Sequence, residues 1–240
     1  MVVKLQPQPD IEEITVDQWI QLMRANWHQG EHVAIGGPTG SGKTRIAQKM
    51  LELRSYVAVL AVKRTDETLE RFMEGPKYGL SKYTVIKEWP PRYPLVRVVL
   101  WVKPKELGIS NDQREKLRKA LNSIYLAGGW TTFWDDCGYI TGFLGMGSNL
   151  GIMLNQGRSD FLTNVVAYTQ PKSMVARLPS ETFKQCRHQL VFKFDNEDEI
   201  KALAAIAGIP WRRLMGMLAE LGEHDFIYKG KGRLVLVRNA

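Results

Sequence analysis

The sequence predicts an α/β domain in which helices cover both faces of a mainly parallel sheet. Continuous apolar runs occur at 32–36 (HVAIG), 56–62 (YVAVLAV) and 96–102 (VRVVLWV), as in parallel strands that are buried on both faces. Segments with helical periodicity separate these runs, and such alternation is typical of α/β folds. The chain has 240 residues, 44% of them hydrophobic, which is enough to bury one sizeable core.

The first part of the chain predicts an arm, a helix, a strand and a second helix. Residues 1–9 contain two prolines and predict a short arm. Apolar residues then recur at helical spacing from Thr15 to Trp27, so one face of this helix packs inward. The strand at 32–36 leads into a glycine-rich stretch, and KTRIAQKMLELR (43–54) continues as a helix.

The middle of the chain predicts a loop region, a long helix and three further strands. Residues 76–94 carry several prolines and glycines, which predict surface loop with one edge strand. Residues 110–129 predict a helix that is capped by Ser110 or Asn111 and stopped by glycine. Further strands are predicted at 130–135 (WTTFWD), 164–169 (NVVAYT) and 189–194 (QLVFKF).

The last part of the chain predicts a small appendage. Residues 198–208 and 210–222 have helical periodicity and are separated by Pro210. Residues 224–238 predict a β-hairpin that turns at Gly230–Gly232. We therefore predict three parts. Residues 1–29 form an N-terminal arm and helix, residues 30–208 form an α/β core, and residues 209–240 form a C-terminal helix and hairpin appendage.

Composition limits the class of protein and suggests an anionic partner. The net charge of +8 and the pI of about 9.4 favour nucleic acid, although an evenly basic surface is the alternative. Cys137 and Cys186 have no paired spacing and predict reduced, buried thiols. No apolar run approaches the roughly 20 residues that span a bilayer. We expect a cytoplasmic protein.

A stretch at 36–44 (GGPTGSGKT) matches the phosphate-loop pattern G-x-x-x-x-G-K-[ST]. Its glycines let successive backbone N–H groups turn toward phosphates, and the following helix adds the positive end of its dipole. In this motif the lysine reaches the terminal phosphates and the last hydroxyl binds Mg²⁺, so ATP and Mg²⁺ are the predicted ligands. The sequence contains no N-K-x-D motif for reading guanine, which favours ATP. The matching residues are Gly37, Pro38, Thr39, Gly40, Ser41, Gly42, Lys43 and Thr44.

Polar residues follow two later strands. Asp135 ends a hydrophobic strand, as does the aspartate that holds Mg²⁺ in related folds. Asp136 is then the predicted base or positioner of the attacking water, which favours hydrolysis over transfer to a substrate. Gln170 follows NVVAYT and is predicted to lie near the γ-phosphate if its strand neighbours the phosphate loop. The alternatives are an acidic surface turn and a polar strand end without a role.

The phosphate loop, the strand ending in two aspartates and the segment GRSDFLTNVVAYTQPKSMVARLPSETFKQCRHQLVFKF (157–194) together resemble the FtsK–HerA superfamily of ATPases. The resemblance covers roughly residues 30–208. It implies a RecA-like core of the ASCE type, in which the strand before the glutamine lies between the strands of the two Walker motifs. Members of this family form rings that pump double-stranded DNA.

The resemblance also implies roles for individual residues. Lys43 and Thr44 match the Walker A pair, Asp135 matches the Walker B aspartate, and Gln170 matches the sensor glutamine. Arg158 matches a basic position that serves as an arginine finger to the neighbouring subunit.

Three positions leave the assignment open. Arg187 precedes the last core strand and is the rival arginine finger. Asp136 stands where the family usually has glutamate, and Pro171 follows the glutamine directly where many members have an arginine between.

The function implied by the resemblance is an ATP-driven translocase of double-stranded DNA, acting as a homo-oligomeric ring that is hexameric or pentameric. A core with a short tail looks most like a viral genome-packaging ATPase, with a portal or a nuclease as a candidate partner. A conjugation or chromosome-transfer pump is the nearest alternative. A small-molecule kinase is disfavoured by the paired carboxylates, and a nucleotide switch remains a further alternative.

Two basic segments have no assigned role in the sequence. Lys63 and Arg64 follow the second predicted strand and either face phosphate or DNA or are a solvated strand end. WRRLMGM at 211–217 predicts an amphipathic packing helix, with a nucleic-acid contact as the alternative.

Overall fold

The computed structural model describes residues 11–65, 67–91, 95–104, 111–177 and 180–239. The predicted arm at 1–9 and the candidate cap Ser110 lie outside these ranges. Within them, ten strands form one sheet. In chain order the strands are β1 (Glu13–Thr15), β2 (His32–Gly36), β3 (Val57–Ala61), β4 (Thr84–Ile86), β5 (Arg97–Trp101), β6 (Thr131–Trp134), β7 (Thr163–Tyr168), β8 (Cys186–Phe192), β9 (Phe226–Gly230) and β10 (Arg233–Arg238).

Ten α-helices occur in the same part of the chain. Local chemistry sets several of their ends. Thr15 and Gln18 form a reciprocal capping box at the start of the first helix. The helices are α1 (Val16–Asn26), α2 (Lys43–Leu51), α3 (Glu67–Met73), α4 (Asn111–Ala127), α5 (Cys137–Gly142), α6 (Gly147–Gln156), α7 (Pro171–Arg177), α8 (Ser180–Phe183), α9 (Glu197–Ala207) and α10 (Trp211–Ala219).

The strand order across the sheet is β1-β10-β9-β8-β2-β7-β6-β3-β5-β4. Neighbouring strands run parallel except at β8–β9 and β9–β10, which are antiparallel. The predicted α/β fold with a mainly parallel sheet is confirmed. Strand β7, which precedes Gln170, lies between β2 and β6, as the family resemblance implied.

The central strands are buried on both faces, which explains their continuous apolar sequence. In β3, Val57 and Val59 pack into a core that includes residues of α1, α2 and α3. Ala58 and Leu60, on the other face, pack into a second core with residues of α4, α5, α6, α9 and α10. Burial of a Val or Leu side chain contributes about 1.5 to 3 kcal/mol, so the two cores hold the sheet in place.

The parallel strands give the sheet two chemically different edges. Strands β2, β3, β6, β7 and β8 all end at one edge, here called the carboxyl edge, and begin at the other, the amino edge. The phosphate loop follows β2 at the carboxyl edge. Ligands of open α/β sheets bind at the carboxyl ends of the strands, so the site is expected there.

The C-terminal hairpin continues the main sheet. Strand β9 pairs with β8, with Leu190 opposite Tyr228, and β1 pairs with β10. Trp19 of α1 is fully buried with its ring centroid 5.1 Å from that of Phe226. The predicted division of the chain after residues 29 and 208 stays a prediction. The described parts of 1–29 and 209–240 share one sheet and its cores with residues 30–208. None of the described helices has the length and apolarity that a membrane crossing requires.

Candidate functional site

The phosphate loop has the backbone of an anion cradle. Gly40 and Gly42 have φ of +83° and +98°, which a side chain would strain. A Cβ on Gly37 would lie 2.6 Å from Ser41 Oγ and 2.8 Å from Phe192 Cβ. Ser41 Oγ is buried and has no hydrogen-bond partner among the described residues. An unpaired hydroxyl inside such a glycine-rich loop fits a phosphate oxygen.

Lys43 opens α2 and lies inside the loop. Its side chain is buried, and Nζ donates a hydrogen bond of 2.6 Å to the carbonyl of Pro38. Burial lowers the pKa of Lys43 to about 8, and the carboxylate of Asp135 partly opposes this shift. A buried ammonium of this kind gains a strong counter-charge when a phosphate enters the loop.

Thr44 and Asp135 form the candidate metal-binding pair. The Thr44 hydroxyl donates a 2.7 Å hydrogen bond to Asp135 Oδ1, and the Asp135 side chain is only 5% exposed. A hydroxyl and a carboxylate are hard oxygen ligands of the type that Mg²⁺ takes together with substrate phosphates. Within the described ranges, no group of three or more His, Cys, Asp or Glu residues could hold a metal ion. The residues therefore fit a magnesium ion that is shared with a nucleotide.

Asp136 faces the same cleft, but its carboxylate is more exposed than that of Asp135. It caps α5, since its Oδ1 accepts a hydrogen bond of 3.2 Å from Tyr139 N, and its side chain is 34% exposed. The cap fixes the carboxylate at the start of the helix and leaves it open to water. The buried carboxylate of Asp135 and the half-exposed one of Asp136 thus suit a metal ligand and a water-directing group respectively.

Lys63 lies beside both carboxylates. Its Nζ is 3.8 Å from Asp135 Oδ2 and 3.8 Å from Asp136 Oδ2. The contact arises because β3 pairs with β6, Leu60 opposite Trp134, so the residues after the two strands meet at the carboxyl edge. Of the two alternatives for Lys63, the structure favours the one that faces phosphate.

A cleft of about 320 Å³ joins these groups. Thr169, directly after β7, lines the cleft. The next residue, Gln170, is exposed, and its backbone carbonyl accepts a hydrogen bond from Met174 N. The sensor role of Gln170 stays a prediction. The lining residues are Thr39, Gly40, Lys43, Thr44, Lys63, Asp135, Asp136, Ala167 and Thr169.

The two candidate finger arginines lie at the amino edge. The Arg158 carbonyl would be 3.0 Å from a Cβ on Gly30, just before β2. Arg187 begins β8, and its Nη1 lies 3.0 Å from Glu31 Oε1. The five-residue strand β2 separates this edge from the phosphate loop by about 16 Å. Both side chains are exposed, and neither is placed to reach the phosphate loop of its own subunit.

The sequence left the role of Lys63 open and assigned none to Thr169, although both follow apolar parallel strands. It missed two further residues near the phosphate loop. His224 and Asn239, from the predicted appendage, line a cavity of about 160 Å³ beside Gly40 and Gly42. Their proximity depends on how the hairpin joins the sheet, and no local pattern announces it.

Fold and site together define a P-loop NTPase. A glycine cradle follows a central parallel strand, its lysine and threonine face a Walker B-type aspartate, and the strand order is the one implied by the resemblance.

The comparisons with known proteins agree at the level of the fold. No protein-family model and no curated protein matches the chain. Solved structures do. The genome packaging NTPase B204 of Sulfolobus turreted icosahedral virus 2, in complex with AMPPCP, matches with a TM-score of 0.59 and 13% identity over 88% of this chain and 99% of that one. B204, the DNA-packaging ATPase of Sulfolobus turreted icosahedral virus, matches with a TM-score of 0.58 and 17% identity over 89% and 99%.

VirB4 of Thermoanaerobacter pseudethanolicus matches with a TM-score of 0.60 and 8% identity over 87% of this chain and 89% of that one. These neighbours are ATPases of the FtsK–HerA type, so the resemblance predicted from the sequence is confirmed in the fold. Identities this low carry the likeness no further than the fold.

Proposed function

We propose that the chain is an ATP-hydrolysing motor that translocates double-stranded DNA, with viral genome packaging as the favoured role. The observation that carries the proposal is the 2.7 Å hydrogen bond between Thr44 and Asp135, with the exposed carboxylate of Asp136 next to it. This arrangement joins a phosphate cradle, a metal-binding pair and a water-directing group in one cleft. The fold shared with DNA-packaging ATPases supports the choice of DNA as the partner.

The residues divide the work of hydrolysis. The loop N–H groups and Lys43 hold the phosphates, while Thr44 and Asp135 would hold Mg²⁺. When bound there, Mg²⁺ would supply positive charge that offsets the charge of the phosphates. Asp136 orients a water and accepts its proton as the water oxygen bonds to the γ-phosphorus and the bond to the β–γ bridging oxygen breaks, giving ADP and phosphate. Lys63 offsets the charge of the paired carboxylates.

Hydrolysis in this proposal needs an arginine from a second subunit. Charge builds on the transferring phosphate, and the only cations that a subunit brings to its own cleft among the described lining residues are Lys43 and Lys63. Arg158 lies across the sheet from this cleft. A homo-oligomeric ring, in which the amino edge of one subunit approaches the carboxyl edge of the next, would supply it.

The proposal is tested by ATP hydrolysis with Mg²⁺, measured with and without linear double-stranded DNA. We expect hydrolysis that DNA stimulates and that Lys43→Ala lowers by roughly 10²- to 10³-fold, as for the loss of one preorganised electrostatic contact. Lys49→Ala is the matched control on the same helix and should keep the wild-type rate. If linear DNA of any length leaves the rate of ATP hydrolysis unchanged, the proposed DNA motor is contradicted, but the assignment of the nucleotide site is not. A wild-type rate in Lys43→Ala would contradict the site itself.

A further inference from the structure

A basic groove lies at the amino edge, on the side of the sheet where the hairpin turns. It encloses about 600 Å³ between the start of β8, the β9–β10 turn, the end of α9 and the start of α10. Among the described residues that line it, none is acidic. We call it the hairpin groove. Its six cationic residues are Lys184, Arg187, Arg213, Lys229, Lys231 and Arg233.

The hairpin groove gathers positive charge in one concave place. The chain has 33 Lys and Arg residues against 25 Asp and Glu residues, and six of these cations line this groove. A concave surface lined by one sign of charge focuses the field and attracts a polyanion.

Several groove cations are held in position. Lys229 donates hydrogen bonds of 2.7 and 2.8 Å to the carbonyls of Ala207 and Gly208, at the end of α9. Arg187 and Lys231 both lie against the buried carboxylate of Glu31, at 3.0 and 3.2 Å. Held side chains lose less conformational entropy when a ligand binds than freely moving surface lysines do.

Glu31 is itself fixed in its charged form. Its Oε2 accepts hydrogen bonds from His28 N at 2.9 Å and from His188 Nε2 at 3.2 Å. Burial opposes ionisation, but these hydrogen bonds and the two cations hold the pKa of Glu31 at about 2. One buried carboxylate therefore holds two cations of the hairpin groove in position.

The turn places a lysine where glycine or asparagine would be easier. Lys231 and Gly232, between paired Gly230 and Arg233, have φ of +47° and +79°. Two positive φ values in a two-residue loop form a type I′ turn, which favours Asn-Gly. A side chain in the left-handed region costs about 1 kcal/mol. The strained position carries a cation over the groove, and strain of this kind often marks a function.

We propose that the hairpin groove binds the phosphate backbone of double-stranded DNA. This inference rests on the proposed function as a DNA motor, and it assigns DNA binding to the hairpin groove. Strands β8, β9 and β10 place cations across about 10 Å, at about 4.8 Å per strand. This width matches about four successive phosphates of one DNA strand, that is, about three intervals of 3.4 Å along the helix axis. A single nucleotide held in the phosphate loop of a neighbour would need fewer cations.

The test compares two double variants that carry the same change of charge. Arg213→Glu with Arg233→Glu reverses two groove cations. Arg212→Glu with Lys119→Glu is the control, since Arg212 neighbours Arg213 on α10 and both control residues are exposed outside the groove lining. Anisotropy of a labelled 30-base-pair duplex of mixed sequence is titrated at several salt concentrations. ATP hydrolysis without DNA reports whether folding and the nucleotide cleft are intact.

We expect the groove variant to lose affinity for the duplex by about 10- to 100-fold, and the slope of log affinity against log salt to fall by about 1.8, or 0.9 for each lost phosphate contact. The control should stay within about twofold of wild type. If the wild type binds the duplex tightly and the groove and control variants bind it with equal affinity, the hairpin groove is not the DNA-binding surface. That result would not contradict the proposed motor function. If the wild type hydrolyses ATP but does not bind the duplex, the proposed function as a DNA motor is wrong, and the DNA-binding groove is wrong with it.

A third outcome separates DNA from a neighbouring subunit. If the groove variant binds the duplex normally but loses DNA-free hydrolysis in rings, the hairpin groove meets the nucleotide site of the next subunit, and the proposal is wrong.

Discussion

The two edges of the sheet are both charged, but they are built in opposite ways. At the carboxyl edge, cations and carboxylates alternate within one cleft, as in the contacts of Lys63 with Asp135 and Asp136 at 3.8 Å. At the amino edge, cations dominate, and the buried Glu31 serves to hold them. The first edge suits the chemistry of a metal-bound phosphate, and the second suits binding of another anionic surface. The nucleotide cleft and the hairpin groove therefore suit different anions and lie at opposite edges of the same sheet.

The strongest test of this division concerns Arg158, which in the proposed ring would reach the nucleotide site of the next subunit. Arg158→Ala should lower ATP hydrolysis by about 10³- to 10⁵-fold, as for arginine fingers in related folds. Mixing Arg158→Ala with Lys43→Ala should restore activity, because some interfaces then pair an intact loop with an intact arginine. Hydrolysis is measured against the ratio of the two proteins, with ring formation followed by light scattering.

The control for the mixture is Arg118→Ala, an exposed arginine on α4 that pairs with Glu115. It should hydrolyse ATP at the wild-type rate. A mixture that forms rings and stays inactive would exclude Arg158 and make Arg187 the next candidate.

A second test separates the two carboxylates of the carboxyl edge. Asp136→Asn should bind ATP normally and lose turnover by about 10²- to 10⁴-fold, since a positioned base contributes that much. Asn keeps the cap of α5, because its oxygen can still accept from Tyr139 N. Nucleotide affinity by calorimetry and turnover in steady state are measured side by side. An equal loss of binding would place Asp136 in the metal site instead.

A third test asks whether Glu31 holds the amino edge together. Its folded pKa is about 2, below an ordinary value of 4.5, so its stabilisation is complete above about pH 4.5 and is lost as the pH falls toward 2. Relative to Glu31→Gln, the wild type should lose about 1.4 kcal/mol of unfolding free energy per pH unit in that window. Urea unfolding measures the difference.

His188 also affects stability at low pH. Burial lowers the pKa of His188 to about 4, and its hydrogen bond to Glu31 partly opposes this shift. The unfolded chain therefore takes up this proton first, and the stability of the wild type falls between about pH 6.5 and 4. Glu197→Gln, at an exposed ion pair with Lys201, serves as the control. A difference between wild type and Glu31→Gln that does not change with pH would contradict the role of Glu31.

The smallest expected effect concerns Lys43 and alkaline pH. The pKa of Lys43 is about 8 in the free protein, and phosphate binds its charged form. Above about pH 8, binding must therefore take up a proton, and the affinity for a non-hydrolysable ATP analogue should fall by up to about tenfold per pH unit. Lys43→Arg should bind more weakly at pH 7 but without this fall, because its guanidinium stays charged. Equal wild-type affinities at pH 7 and pH 9.5 would contradict the shift.

Much of the carboxyl edge could be predicted because its signals are local. The glycine loop, the apolar strand before Asp135 and the helix after Lys43 each follow from neighbouring residues. The amino edge could not be predicted in the same way. Glu31, Arg187 and Lys231 are far apart in the chain, and no spacing in the sequence predicts that they come into contact.

The sequence alone determined the central strands and the long helices, and it indicated which of them carry phosphate chemistry, because backbone preference, apolar periodicity and capping act over a few residues. The short elements β1, α3 and α5 to α8 have no such local signal. Tertiary structure decided the neighbours. It placed Lys63 beside Asp135 by pairing β3 with β6, and it joined the hairpin to β8 and so created the hairpin groove. Strand order depends on how two apolar faces are covered at once. That choice is made by packing across the whole chain, which a local pattern does not record.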